Sequence, residues 1–312
     1  MRRLAARAHL WGGLVSSPLL FVLGVSGSVL VFAPELARLD RPAAHAAAPA
    51  PMPSLDAVIA AAIVGQPGGE ALALRVPTEP LRPFVVDVAV GGGRRLDVAV
   101  DAATLRVIDA RAPERSVITA VRSLHAAFHA GRAGALLVGV LGLWLVVESA
   151  TGLWLYGPAL TRRVRDRSRA VHRIVGVCAL AVGAIVGLTG AALAVTAFSS
   201  AGTPTSSARL ARLDFVAAHV PTGGAIVRLV AEPAHRVRVE TRRADGGVRA
   251  MVVDADTGEV VTASAPPDPW DVVRRLHGGH VAGWPSRLLY AAVGLALPVL
   301  AVTGFVMSFQ RR

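Results

Sequence analysis

The chain has one cysteine and no lysine, and only 17% of its residues are charged and 5% aromatic. A single cysteine, Cys178, excludes a disulfide framework and a multi-thiolate metal site. No GxGxxG follows a strand-like run and no P-loop occurs, so the chain carries no nucleotide-binding signature. All thirty-three basic side chains are arginine, and the net charge is +12. No basic stripe carries interleaved aromatics, so this excess reads as a coding bias toward arginine and not as a nucleic-acid surface.

What the chain does have is apolar length. It is 53% hydrophobic with a mean hydropathy of +0.53. Four stretches, near 10–33, 133–157, 173–198 and 285–309, approach or exceed the roughly 20 residues needed to cross a hydrocarbon core. An integral membrane protein in contact with lipid is expected. The first stretch is too long for a signal-peptide core, and its repeat partner is internal, so it is expected to remain as a helix. Arg2, Arg3 and Arg7 precede it; Arg162, Arg163, Arg165, Arg167 and Arg169 crowd the link between stretches two and three; Arg311 and Arg312 follow the fourth. By the positive-inside rule these short segments and both termini face the cytoplasm. Segments 34–132 and 199–284 then lie outside, in the periplasm or its equivalent.

The two halves repeat. At an offset of 163, His9 falls on His172, Gly13 on Gly176, Gly24 on Gly187 and Gly27 on Gly190. At an offset of 152, Leu124-His125 falls on Leu276-His277, Gly131 on Gly283, and Thr151-Gly152 on Thr303-Gly304. Both halves begin and end on the same side, so they are parallel repeats related by an axis along the membrane normal. Each histidine and its partner are therefore expected at one depth, facing across that axis. His9 and His172 form a pair at the cytoplasmic edge, and His125 and His277 form one at the outer edge.

Each outer segment reads as a small α+β module. The first runs from a Pro/Ala-rich linker (Pro42 to Pro53) through Ser54, a helix N-cap candidate, and the helix-like SLDAVIAAAIVG. The strand-like runs ALALRVP, FVVDVAV and RLDVAV follow, with GGGR at 91–94 as a turn. The second repeats the plan with SARLARLDFVAAHV, AIVRLVA, HRVRVETR and GVRAMVVD, turned at Asp245-Gly246-Gly247. Each module leads into an amphipathic helix carrying the Leu-His pair, ERSVITAVRSLHAAFHAG and PWDVVRRLHGGH.

This order of elements, with LHAAFHAG, VHRIVG and the closing GWPSRLLYAAVGLALPVLAVTGFVMSFQRR, resembles the PepSY-associated transmembrane family. That family includes inner-membrane ferric-siderophore reductases and iron-regulated membrane proteins, and the resemblance covers nearly the whole chain. It implies an α-helical membrane protein: a four-helix transmembrane bundle from two parallel repeats, with two small α+β PepSY-like extracytoplasmic modules. The expected organisation is 1–33, first span; 34–113, first module; 114–157, His-bearing helix and second span; 158–171, arginine-rich cytoplasmic loop; 172–198, third span; 199–266, second module; 267–312, His-bearing helix and fourth span.

The resemblance further implies haem b, two groups for two histidine pairs, moving electrons from a cytoplasmic donor or quinol to ferric iron in a siderophore or other chelate outside. Two imidazoles on opposed helices, trans across an iron, suit six-coordinate haem. His9, His172, His125 and His277 are the expected axial ligands. His129, placed one turn past His125 on the same helical face, is an alternative ligand or haem-edge contact. A lone histidine at a helix end is ordinarily a polar interfacial ring, but four in register are not. His280 is a weaker candidate, and His45, His219 and His235 read as surface residues.

Glu148 is a carboxylate deep in a span, where it is costly and faces the bundle interior or a water-filled cavity. Its first reading is a hydrogen bond to a helix neighbour; tuning of the inner haem or relay of a proton are the others. Ser26-Gly27, Thr151-Gly152, Thr189-Gly190 and Thr303-Gly304 mark the four spans and read first as close-packing sites, although a planar macrocycle needs such room too. Arg132, Arg274, Arg275 and Arg287 lie near the outer pair and either meet haem propionates or an anionic chelate, or snorkel to the interface.

Two readings from other classes compete. In one, the modules bind or inhibit a periplasmic partner such as a peptidase, and the histidines are dispensable. In the other, the histidines are transient ligands of a metal-ion transporter, which leaves the midplane without a binding site.

Overall fold

The computed structural model describes residues 1–40, 51–79, 81–156, 166–200, 209–221, 224–243, 247–262 and 269–309. His45 and most of the Pro/Ala linker, Arg162, Arg163 and Arg165 of the arginine-rich link, Asp245 and Gly246 of the second turn, and Arg311 and Arg312 lie outside the described residues. The helices are α1 (Arg2–Leu30), α2 (Ala33–Asp40), α3 (Leu55–Val64), α4 (Val117–Ala127), α5 (Gly131–Tyr156), α6 (Arg167–Ser200), α7 (Leu213–Ala218), α8 (Pro269–His277) and α9 (Gly283–Phe309). The strands are β1 (Glu70–Arg75), β2 (Phe84–Val90), β3 (Arg94–Val100), β4 (Val107–Arg111), β5 (Ala225–Glu232), β6 (Arg236–Arg242), β7 (Val248–Asp254) and β8 (Val260–Thr262). They fall into two compact units, one helical and one built on the sheet.

In the helical unit, α1, α5, α6 and α9 are each long and apolar enough to cross a membrane. Their outward faces are apolar, with Trp11, Val15, Leu136, Val140, Leu188 and Val195 more than half exposed. The inward face of α1 is small and polar instead, burying Ser16, Gly24, Ser26 and Ser28. This inversion suits a hydrocarbon surround, where helices associate through close contact of small residues. Gly24 meets Gly294 where α1 crosses α9. Gly187 meets Gly142 where α6 crosses α5, and there a Cβ on either glycine would sit 2.6 Å from the other's carbonyl oxygen. Gly24 and Gly187 are repeat partners, as are Gly142 and Gly294, so one helix crossing is built twice. Only glycine permits it.

In the other unit the strands of the two expected α+β modules join. Its eight strands form one antiparallel sheet in the order β4-β3-β2-β1-β5-β6-β7-β8, joined where β1 pairs with β5 through Leu74 and Leu229. The short strands β4 and β8, which the alternation pattern did not single out, close its two edges. Both helices lie on one face. Val58, Ile59, Leu213 and Val216 pack on Val86, Val98, Leu229, Val239 and Val253. Side chains alternating to the other side form ion pairs, among them Arg75 with Asp97 at 2.8 Å. Such alternation is typical of an antiparallel sheet with one packed face. The GGGR turn joins β2 to β3, with Gly92 and Gly93 at φ 78° and 72°, a left-handed conformation suited to glycine.

Ser54 does cap α3, accepting from the Ala57 N–H at 3.1 Å. The two helix starts also cap each other. Asp214 accepts the Leu55 N–H at 2.7 Å, and Asp56 accepts the Leu213 N–H at 2.7 Å. Each carboxylate satisfies an orphan donor at the start of the helix from the other repeat and sits at the positive end of that helix's dipole. Asp56→Ala and Asp214→Ala are each expected to lower stability by about 1 kcal/mol. Hydrogen exchange should speed up first at the amide that has lost its acceptor, Leu213 in one case and Leu55 in the other. The asparagine variants, which keep an acceptor oxygen, should lose less.

Candidate functional site

Four imidazoles enter the helical bundle, each held in the same way. His9 Nδ1 lies 3.0 Å from Thr151 Oγ1 and His172 Nδ1 lies 2.8 Å from Thr303 Oγ1. His125 Nδ1 lies 3.0 Å from Ser26 Oγ and His277 Nδ1 lies 3.2 Å from Thr189 Oγ1. Each contact joins elements of the same repeat: α1 to α5, α6 to α9, α4 to α1 and α8 to α6.

The hydroxyls determine which ring nitrogen carries the proton. A hydroxyl has one hydrogen to give. Ser26 gives it to Val22 O at 2.6 Å, Thr151 to Val147 O at 2.8 Å, Thr189 to Ile185 O at 2.6 Å and Thr303 to Val299 O at 2.7 Å, all one turn back on their own helices. Each oxygen can then only accept from its histidine, so Nδ1 bears the hydrogen. Val186 O, 3.2 Å from His277 Nδ1, demands the same tautomer. Nε2 is left with its lone pair, the state in which an imidazole binds a metal.

The glycine after each hydroxyl residue makes room for the ring. A Cβ at Gly27 would lie 2.9 Å from His125 Cε1, and one at Gly190 2.9 Å from His277 Cε1. At Gly152 and Gly304 the gaps to His9 and His172 Cε1 would be 3.3 and 3.5 Å. The Ser/Thr-Gly pairs, read from the sequence first as packing sites, are thus the seats of the four histidines. One signal in the chain pointed to this: the pairs repeat with the two halves as the rings do, Ser26-Gly27 on Thr189-Gly190 at an offset of 163 and Thr151-Gly152 on Thr303-Gly304 at 152.

His125 and His277 face each other across the two halves, with ring centroids 6.0 Å apart and planes at 49°. Burial and the facing His277 ring hold the His125 imidazole down at about 4, and burial also lowers His277. His129 is not on the helical face with His125. The helix ends at Ala127, Phe128 and His129 turn through positive φ of 47° and 59°, and the His129 side chain is exposed. His280 is likewise exposed. His219 bonds Phe215 O and His235 bonds Asp256, both within the sheet unit.

At the other level His9 has a second partner. Glu148 Oε2 lies 2.7 Å from its Nδ1, so the carboxylate reaches across to α1 and does not bond a neighbour on its own helix. Gly12 and Gly13 leave the space that Trp144 and Glu148 fill. Trp144 Nε1 and Glu148 Oε1 are buried there without a hydrogen-bond partner among the described residues. Arg287 is already committed. It holds Glu35 at 2.6 and 2.8 Å and the Val31 carbonyl at 2.7 Å, and its guanidinium lies 4.4 Å over Trp284, so its charge is not offered to an anion. Arg132 lies 4.4 Å over the Phe198 ring.

Among the described residues no three His, Cys, Asp or Glu side chains gather around one point. The histidines come as pairs. Two imidazoles leave a bare zinc ion short of its usual four ligands, but they complete the axial set of a macrocycle that brings its own nitrogens. The spacing of the His125–His277 pair fits this use. Metal–imidazole bonds of about 2 Å on opposite sides of one metal, plus roughly 1.1 Å from nitrogen to ring centre, put two trans ring centres about 6.2 Å apart. The observed separation is 6.0 Å.

In the metal-free chain the depressed His125 value makes stability depend on pH. The unfolded ring, at 6.5, binds a proton before the folded one does, so this contribution is complete above 6.5 and declines as pH falls toward about 4. Thermal unfolding of the detergent-solubilised protein across that window should show the loss, and His125→Asn should lessen it, His277 supplying the remainder.

The family described as the PepSY-associated TM region matches residues 6–312. No curated protein matches the chain.

Proposed function

Because the chain belongs to the PepSY-associated TM family, and is a multi-pass membrane protein with four apolar helices, we propose that it is a transmembrane dihaem b electron-transfer protein. Its electrons come from a cytoplasmic donor or quinol, and its acceptor is ferric iron in a siderophore or similar chelate at the periplasmic face of the inner membrane, with both termini cytoplasmic. The observation that carries this reading is the pair of facing rings, His125 and His277, 6.0 Å apart and both presenting the Nε2 lone pair. His9 and His172, seated alike, are the axial ligands at the second level.

Bound haem supplies a one-electron ferric/ferrous couple at each level. The chain's own residues do the rest. Ser26, Thr151, Thr189 and Thr303 hold the four rings in the ligating tautomer, so no proton has to leave an imidazole when the metal is bound. Gly27, Gly152, Gly190 and Gly304 let the rings sit flush against the helices. Iron itself does not cross; only the electron does.

The purified full-length protein is expected to show the reduced visible spectrum of low-spin bis-histidine haem, with two haems per chain. His9→Ala and His277→Ala should each remove about one of the two, and His235→Ala none. Should the protein stay colourless when reconstituted with excess haem, the reading fails. In that event a partner-binding role of the extracytoplasmic segments, with dispensable histidines, takes its place.

A further inference from the structure

The duplication makes the four histidine seats nearly identical, and one departure from that identity stands out. His9 alone has a carboxylate on Nδ1, Glu148 Oε2 at 2.7 Å. Its counterpart His172 meets neutral groups, the Thr303 hydroxyl and the Leu300 backbone. The residues behind the difference changed together. At the offsets of the two repeats Glu148 corresponds to Leu300, and Gly12, which opens the space for Glu148, corresponds to Val175. A Cβ at Gly12 would run into the Trp144 ring and lie 2.8 Å from Glu148 Oε1, whereas at Gly13 and its partner Gly176 the nearest atoms to such a Cβ, Glu148 Oε2 and Leu300 Cδ2, both lie at 3.6 Å. One half therefore holds glycine and glutamate where the other holds valine and leucine. The Glu148 side chain is only 11% exposed, so water does little to screen it.

From this asymmetry we infer that Glu148 is a positioning residue that sets the direction of electron flow, by making the His9 level the lower in potential of the two. The inference rests on the dihaem reading above. A carboxylate accepting the Nδ1 hydrogen pushes electron density through the ring to Nε2 and raises the basicity of the ligand. A more basic ligand, with a carboxylate close by, favours the ferric over the ferrous state. At the His125–His277 level the partners of Nδ1 are neutral, Ser26, Thr189 and the Val186 carbonyl. One electron therefore passes downhill from the His9–His172 level, which is left oxidised, to the His125–His277 level, which is reduced. No bond forms or breaks in the transfer. The reductant is the cytoplasmic donor or quinol, and the terminal oxidant is the ferric chelate.

The test is a redox titration of the full-length haem protein, followed by its visible spectrum at one pH. Wild type should give two one-electron waves. Glu148→Gln, which keeps shape and a hydrogen bond but removes the charge, should raise the lower midpoint and leave the upper one in place. The expected size is at least a tenfold change in the oxidised-to-reduced ratio at fixed potential, about 59 mV for one electron. A residue that merely packs would move neither. The double variant Val175→Gly, Leu300→Glu rebuilds the same carboxylate and glycine against His172, and should push the lower midpoint below wild type even if Glu148→Gln proves unable to hold haem. Two bound haems with both midpoints unmoved in the Glu148→Gln protein, or an unmoved lower midpoint in the rebuilt variant, overturns the role of Glu148 and leaves the dihaem reading intact. A wild-type protein that takes up no haem overturns both.

Discussion

The helical unit depends on what a serine or threonine hydroxyl does inside an apolar bundle. Such a hydroxyl has one hydrogen, and at Ser26, Thr151, Thr189 and Thr303 it goes to the carbonyl one turn back. The oxygen is thereby made a pure acceptor, and the imidazole above it is a donor at Nδ1. A ring that donates at Nδ1 keeps a lone pair at Nε2. This sequence of constraints turns four histidines that would be awkward guests among apolar helices into four oriented rings. The neighbouring glycines complete the seat, most tightly at Gly27 and Gly190, where a Cβ would come within 2.9 Å of the ring.

Duplication explains why the arrangement is economical. One helix crossing, Gly24 on Gly294 and Gly142 on Gly187, is used twice, and so is one histidine seat in each of two versions. The sheet unit follows the same logic by other means. Four strands from each repeat join through β1 and β5 into one sheet, and Asp56 and Asp214 exchange helix caps between repeats. A four-stranded half would leave an exposed edge at β1 or β5; pairing them removes it. Departures from the repeat then carry information. Glu148 against Leu300, with Gly12 against Val175, is a coupled change of charge and space at one seat out of four.

Much of the architecture was legible in the chain. Composition and the length of four apolar runs determine a membrane protein, and the in-register repeats of His9 with His172 and His125 with His277 pick out the rings that enter the bundle. Ser54 as a helix cap and the glycine turn at 91–93 follow from local chemistry that needs no distant partner. Helical spacing puts His129 on the face of His125, but the backbone turns left-handed after Ala127 and carries it off that face. Arg287 was open to an anion on sequence grounds, since nothing in the chain ties it to Glu35, 252 positions away.

The sequence by itself therefore determined the class, the repeat and the identity of the paired histidines, because these depend on composition and on spacing within a few turns of chain. Only the tertiary structure decided that the strands of the two repeats share one sheet, that each Ser/Thr-Gly pair seats a histidine, and that Glu148 bonds His9. Each of those joins residues far apart in the chain, and hydrogen-bond direction depends on where the single proton of a hydroxyl or an imidazole goes once helices are packed. No periodicity records that choice.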